Sequence, residues 1–338
     1  MSDKTKQILQ YSLSFLLGLT LLYFVFRNED IDKLWLDIKK ANYTWIGITF
    51  ILTLFAHYVR AFRWNLLLKQ TGQKISNGEA YLALLAGYGA NLVLPRMGEL
   101  TRCAILKKRK NVPFDTALGT VVAERLFDFI CLLILLVATV IWQYDILFNF
   151  IQNLLSGFIS SKETLYKLIY LGISLCAVII GLFFLLRKRF LVFYTQSENK
   201  LLVKIRTFVT GLGEGIYSIY LMPNKVIFLL STLAIWTCYY FMAYLIFFAL
   251  PSTSSLAMGA GVSVLVMGAF GIAAPVQGGI GAYHWIVSQT LILYGISESD
   301  GKTYATLAHA SQMVLTIIFG LISFAIIVLK TPKTDDRK

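Results

Sequence analysis

Asn91-Leu92-Val93-Leu94-Pro95-Arg96-Met97-Gly98-Glu99-Leu100-Thr101-Arg102 closes an apolar run that is too short to cross a bilayer. The run from Tyr81 to Leu94 has 14 residues and carries Gly87, Gly89 and Asn91 inside it. At 1.5 Å rise it covers ~21 Å, short of a ~30 Å hydrocarbon core. Pro95 then ends the helix, because it lacks an N–H and clashes with the preceding turn. Both flanks are basic: Arg60, Arg63, Lys69 and Lys74 before it, and Arg96, Arg102, Lys107, Lys108, Arg109 and Lys110 after it. A single span cannot keep both ends on the basic side. The stretch therefore predicts a re-entrant hairpin over about residues 78–106.

A second stretch, Gly271-Ile272-Ala273-Ala274-Pro275-Val276-Gln277-Gly278-Gly279-Ile280-Gly281-Ala282, repeats the pattern of a proline with a glycine three residues later. It divides the apolar pieces 256–274 and 279–295. Its flanks, Pro251–Ser255 and the loop holding Glu298, Asp300 and Lys302, are not basic, so this hairpin (about 256–295) dips from the opposite side. Broken apolar segments at corresponding places in two halves mark a transporter-type inverted repeat. Irregular backbone at membrane depth is tolerated only inside protein or beside a wet cavity, so a polar cavity between the breaks is expected.

Composition sets the class. The 338 residues are 57% hydrophobic and 14% charged, where soluble domains carry roughly 25% charge. The apolar runs are continuous rather than alternating, which predicts an all-α polytopic membrane protein and not a β-barrel. Six full spans are expected: about Leu9–Phe26, Tyr43–Val59, Phe114–Trp142, Leu165–Leu186, Val226–Leu250 and Tyr304–Leu329. With the two hairpins they make one integral membrane domain over 1–338, countable as seven or eight transmembrane helices. Residues 198–221 read as an amphipathic cytoplasmic surface helix. The first span keeps no small-residue cleavage site and is retained. Residues 60–77 and both termini are expected in the cytoplasm of a multi-pass cell (inner or plasma) membrane protein. The net charge of +13 follows from Lys and Arg in the loops, so nucleic acid is not an expected partner. Cys103, Cys131, Cys176 and Cys238 have no metal-ligand spacing and read as small hydrophobes. No metal and no cofactor is expected.

Candidate chemistry lies at and after the breaks. Glu99 stands at i,i−3 from Arg96 and at i,i+3 from Arg102, so helical pairs with both are expected. Arginine forks and a helix N-terminus suit an anionic head group; ordinary boundary charge is the bland alternative. Glu124, Arg125 and Asp128 lie about ten residues into a long apolar helix, where ionisable groups are costly and face a cavity or a partner. A salt-bridge lock to Arg96 or Arg102 is one reading; a later helix start, leaving the three at the interface, is the other. Asn91, Pro95 and Gly98 shape the first break; Pro275, Gln277, Gly278, Gly279 and Gly281 shape the second. His284 follows one turn after Gly281, and with His309 it reads either as a proton relay or as a satisfied structural group. The motifs of soluble catalysis (Gly-x-Ser-x-Gly, P-loop, Cys-x-x-Cys, His-Glu-x-x-His) do not occur.

At these same residues the chain resembles the flippase-like transmembrane domain of the lysylphosphatidylglycerol synthases and their stand-alone relatives, over roughly residues 10–330. Pro95 through Arg102 is similar to the family's proline, Gly-Glu and arginine pattern, Glu124-Arg125-Leu126-Phe127-Asp128 to its Glu-Arg plus Asp helix, and Pro275 through Gly281 to its Gly-Gly-Leu-Gly element with Ile280 for the leucine. The family often has a Glu where this chain has His284. The resemblance implies the translocating half without the soluble aminoacyl-transfer domain, hence no enzyme by itself. It implies transport of a phospholipid, aminoacyl-phospholipid or other lipid-linked molecule, with anionic or aminoacylated membrane lipids as partners and a separate lipid synthase alongside. A membrane-embedded enzyme or accessory subunit of lipid or glycolipid synthesis is the alternative reading.

Overall fold

The computed structural model describes residues 16–93, 97–154 and 222–330. Among the described residues every regular element is helical: α1 (Leu16–Phe26), α2 (Ile31–Lys39), α3 (Tyr43–Gln70), α4 (Asn77–Val93), α5 (Met97–Lys110), α6 (Phe114–Trp142), α7 (Tyr144–Leu154), α8 (Lys225–Phe247), α9 (Met258–Ala273), α10 (Ala282–Ile292) and α11 (Glu298–Lys330). A short 3-10 turn, Gln277–Gly279, lies between α9 and α10. The chain divides into two compact units, residues 1–142 with 221–338, and residues 143–220. Helix α7 belongs to the second; the other described helices belong to the first.

Among the described residues four helices are long and apolar enough to cross a membrane: α3, α6, α8 and α11. Their outer faces carry bare hydrocarbon, with Ile51 and Phe55 on α3, Ile134 and Ile141 on α6, Leu230 and Leu233 on α8, and Leu321 and Phe324 on α11 all exposed. A water-facing protein would bury such stripes; a lipid-facing one leaves them out. The all-α polytopic architecture is therefore as the apolar runs require. The expected span at Leu165–Leu186 and the surface helix at 198–221 lie outside the described residues, and the first span is described only from Leu16.

Two helix ends differ from the hydropathy reading. Helix α3 does not stop near Val59 but runs 28 residues to Gln70, carrying Arg60 and Arg63 within it as buried side chains rather than cytoplasmic loop charges. Helix α11 begins at Glu298, not near Tyr304. There Ser297 Oγ accepts the Asp300 N–H at 3.1 Å, and the acids Glu298 and Asp300 sit in the positive first turn. Cap chemistry starts this helix before its apolar stretch does.

Four of the shorter helices come in pairs. Helices α4 and α5, with 17 and 14 residues, pack against each other across residues 94–96. Helices α9 and α10, with 16 and 11 residues, pack against each other across the 3-10 turn. At 1.5 Å rise none exceeds about 26 Å, so no member spans a ~30 Å core alone. Small residues hold each pair tight. A Cβ on Gly87 would stand 2.7 Å from the Gly98 carbonyl oxygen, and one on Gly271 would stand 2.8 Å from Tyr283 Cα. At the second break Gly278, Gly279 and Gly281 adopt φ of 57°, 77° and 79°, a region that favours glycine. One apolar core lies under each pair. Trp64, Leu68, Leu84, Leu106 and Val121 tie α3, α4, α5 and α6 together, and Phe247, Val264, Val287, Leu291 and Tyr304 tie α8, α9, α10 and α11.

Candidate functional site: a buried arginine–carboxylate cluster beside the first helix break

Helix α6 supplies the acids. Glu124 and Asp128, at i,i+4, share one face, which α3 meets with Arg60 and Arg63 at i,i+3. Arg60 Nε donates to Glu124 Oε1 at 2.8 Å and its Nη2 to Asp128 Oδ2 at 2.8 Å. Arg63 Nη2 donates to Asp128 Oδ1 at 2.7 Å and reaches Glu124 Oε1 at 3.5 Å. From α5, Arg102 Nη2 donates to Glu124 Oε2 at 3.0 Å. Two hydroxyls on α8 complete the set: Tyr239 accepts from Arg60 Nη1 at 2.9 Å and Thr232 from Arg63 Nη1 at 3.0 Å. Glu124 and Arg63 are fully buried and Arg102 is 2% exposed. The aromatic faces of Trp64 and Phe228 lie 4.5 Å and 5.5 Å from the guanidinium carbons of Arg102 and Arg63.

The salt-bridge lock between α6 and Arg102 is thus present, and Glu124 stands inside the protein rather than at the interface. The expected helical pair of Glu99 with Arg102 is not formed. Glu99 instead pairs with Arg125 of α6 at 3.0 Å, half-exposed, while Arg102 turns inward to Glu124. The reason is electrostatic: a desolvated carboxylate attracts a guanidinium far more strongly than a partner at the edge. Pro95 and Arg96 lie outside the described residues. Asn91 closes the hairpin, its Oδ1 accepting the Gly98 N–H at 2.6 Å at the start of α5.

Arg60 and Arg63, with Tyr239 and Thr232, are site members that hydropathy places elsewhere. The signal for them is a pattern match: two arginines one helical turn apart at the end of an apolar run, against two acids one turn apart in another.

The second break is organised by backbone. Gly278 O lies 2.7 Å from His309 Nε2, and the Gly281 N–H donates to His284 Nδ1 at 3.3 Å. The two imidazoles are 5.0 Å apart, and the Tyr283 ring stacks on His309 at 5.1 Å. Both histidines are buried and brace the break. Gly279 is buried, Gln277 half-buried and Pro275 exposed. Helix α4 packs against this turn, so the first hairpin meets the second break. A groove of about 490 Å³ beside His284 is walled by apolar residues including Leu19, Leu22, Tyr23 and Phe26. A smaller cavity, about 370 Å³, lies at Lys69, Gln70 and Pro223. Neither is the polar cavity expected between the breaks, and the charged groups beside the first break have closed on one another. Among the described residues no group of three or more His, Cys, Asp or Glu side chains is placed to hold a metal.

Comparison with known proteins agrees with this architecture. The family model described as "Lysylphosphatidylglycerol synthase TM region" matches residues 11–320. The chain is 22% identical to the UPF0104 membrane protein MJ1595 of Methanocaldococcus jannaschii, covering 98% of each sequence. It is also 22% identical to a UPF0104 membrane protein of Methanothermobacter thermautotrophicus, over 85% of this chain and 83% of that one. No solved structure matches it. With the match running through both helix breaks and every residue of the arginine–carboxylate cluster, the chain belongs to the lysylphosphatidylglycerol synthase TM region family.

Proposed function

We propose that this membrane protein moves a phospholipid, an aminoacyl-phospholipid or another lipid-linked molecule between leaflets. The observation that carries the reading is the buried cluster of Arg60, Arg63, Arg102, Glu124 and Asp128, set in apolar helices against a helix pair too short to span. Ionisable groups at membrane depth cost several kcal/mol unless paired, and their usual use is a substrate or ion pathway. The lipid head passes between the two hairpins while its tails stay in the bilayer. The hairpins dip from opposite sides, as an inverted repeat, with both termini in the cytoplasm of a cell membrane. Arg102, with Arg96, meets the head group's phosphate; Glu99, Glu124 and Asp128 neutralise the arginines when the site is empty or meet a cationic head. Pro275, Gln277 and Gly278–Gly281 form the opposite lip with His284. The driving force is a gradient or simple equilibration.

The test is leaflet exposure of fluorescent phospholipids and aminoacyl-phospholipids in proteoliposomes. Fast protein-dependent exchange, lost in Arg102→Ala and Glu124→Gln, is the expected result. No exchange with any lipid overturns the reading. A new covalent lipid product would instead identify a membrane enzyme.

A further inference from the structure

Hydrogen bonding fixes where the protons sit on the two histidines of the second break. A backbone N–H can only donate, so His284 Nδ1, which accepts from the Gly281 N–H at 3.3 Å, carries no proton. That ring is neutral, with its proton on Nε2. A carbonyl can only accept, so His309 Nε2, 2.7 Å from Gly278 O, carries one. A further proton acts differently on the two rings. On His309 it enters at Nδ1 and leaves the bond to Gly278 in place. On His284 it also enters at Nδ1, where it sets donor against donor at Gly281. Gly281 is the N-cap of α10 at φ 79°, and a Cβ there would stand 2.6 Å from Leu21 Cβ, so α1 packs directly on this point. Phe26 of α1 also meets the His284 ring edge-on at 5.7 Å. The His284 bond therefore fixes the start of α10 where it lies against α1.

His284 lines the groove beside α1, whose wall residues Phe26 and Ile31 flank the polar turn Arg27-Asn28-Glu29-Asp30. The other titratable groups around the break are engaged elsewhere. On α10, Tyr283 stacks on His309. On α11, Lys302 pairs with Glu29 and Glu298, Asp300 accepts from Ser297, and Tyr304 donates to the Ala243 carbonyl. On α4, Glu79 pairs with Arg109 and Tyr88 lies against His57. On α1, Tyr23 faces the groove and Arg27 lies over Phe24. On α2, Asp30 caps the helix, Lys39 lies over Trp35, and Asp32 and Lys33 are exposed. Helix α9 has no ionisable side chain. Among the described residues neither imidazole has a carboxylate partner to hold its charged form.

We propose that His284 is an acid-operated latch on the second break: it binds one proton at Nδ1, releases the Gly281 N–H and frees the start of α10 to move off α1. A second proton, on His309 with its ring 5.0 Å away, is opposed by like charge, so the pair takes up one. The latch goes beyond the translocation reading and holds whatever molecule passes the break. Its sign follows from linkage. The closed break excludes the proton, and the open one, in water, binds it near about pH 6.5. The closed state is therefore fully favoured above that pH and loses ground below it.

The experiment is amide hydrogen exchange of the full chain in lipid nanodiscs, read as protection of residues 278–287 after correction for the intrinsic exchange rate. Residues 98–106, at the first break, are the reference. Between about pH 7.5 and 5.5 ordinary carboxylates stay ionised and imidazoles in water titrate. Uptake of one proton on opening predicts a loss of protection of about tenfold across that window. His284→Asn keeps an acceptor for the Gly281 N–H that takes no proton, and should hold protection constant. His284→Ala, with no acceptor, should be poorly protected even at the upper end of the window. His309→Gln keeps an N–H for Gly278 O and should leave the pH response in place. Native protection that does not change with pH overturns the latch, as does a native-like pH response in His284→Asn or native-like protection in His284→Ala. Loss of the response in His309→Gln alone overturns the assignment to His284.

Discussion

Glu124→Gln perturbs the centre of the cluster with almost no change of shape. In the native protein the carboxylate accepts from Arg60 at 2.8 Å, from Arg102 at 3.0 Å and from Arg63 at 3.5 Å. The amide keeps one acceptor, which can retain Arg60. Its NH2 then points at Arg102 Nη2, donor against donor, and one of two compensating charges is gone. Removing one partner of a buried ion pair costs about 3–5 kcal/mol, because the remaining charge stays desolvated. At 1.4 kcal/mol per factor of ten, that lowers the folding equilibrium by about two to three and a half orders of magnitude. The matched control is Glu99→Gln, which breaks a half-exposed pair worth about 0–1 kcal/mol. The assay is the unfolding midpoint in detergent for both variants, with Arg102→Met and Glu124→Gln/Arg102→Met supplying the remaining corners of a double-mutant cycle. The double variant should recover part of the loss, since it removes the stranded donor along with the lost acceptor. Equal midpoints for Glu124→Gln and Glu99→Gln would refute the reasoning, because burial would then not decide the worth of these pairs.

Gly98→Ala should open the first hairpin, since the new methyl would meet the Gly87 carbonyl oxygen and the Asn91 amide. Overpacking of this kind costs about 1–3 kcal/mol, whereas Gly119→Ala, whose new Cβ would meet nothing within 4 Å beyond its own helix backbone, should be neutral or slightly stabilising; midpoints of the two variants check the contrast. Glu79, at the start of α4, is held below its ordinary value of 4.5 by the hydrogen bond from Arg109, helped by the charges of Arg109 and Lys110. Its stabilisation is present above about pH 4.5 and is lost as pH falls through the lowered folded-state value. The native chain should therefore lose stability more steeply on acidification than Glu79→Gln, read as midpoint against pH between about 7 and 3.

Sequence alone determined the class of this protein and where its helices break. Hydropathy and length are local properties: a run of about 14 residues ended by Pro95 cannot span a membrane whatever surrounds it. A 29-residue apolar run must form a long helix, and α6 occupies Phe114–Trp142 as its apolar pattern requires. The sequence also singled out Glu124 and Asp128, because carboxylates in such a run need a partner. Which partners they have was decided only in three dimensions. Arg60 and Arg63 are more than 60 residues away in the chain and read as loop charges, since hydropathy sums one helix at a time and cannot see a countercharge on another. Helix packing brings the two faces together and buries Ala61, Trp64 and Leu68 on the extension of α3 to Gln70; desolvation of Glu124 then draws Arg102 to it from Glu99. The same packing leaves Arg63 and Arg102 with idle donors and the cluster one charge in excess. A net charge summed over the whole chain cannot show this, because it counts charges without regard to which of them share a low-dielectric interior.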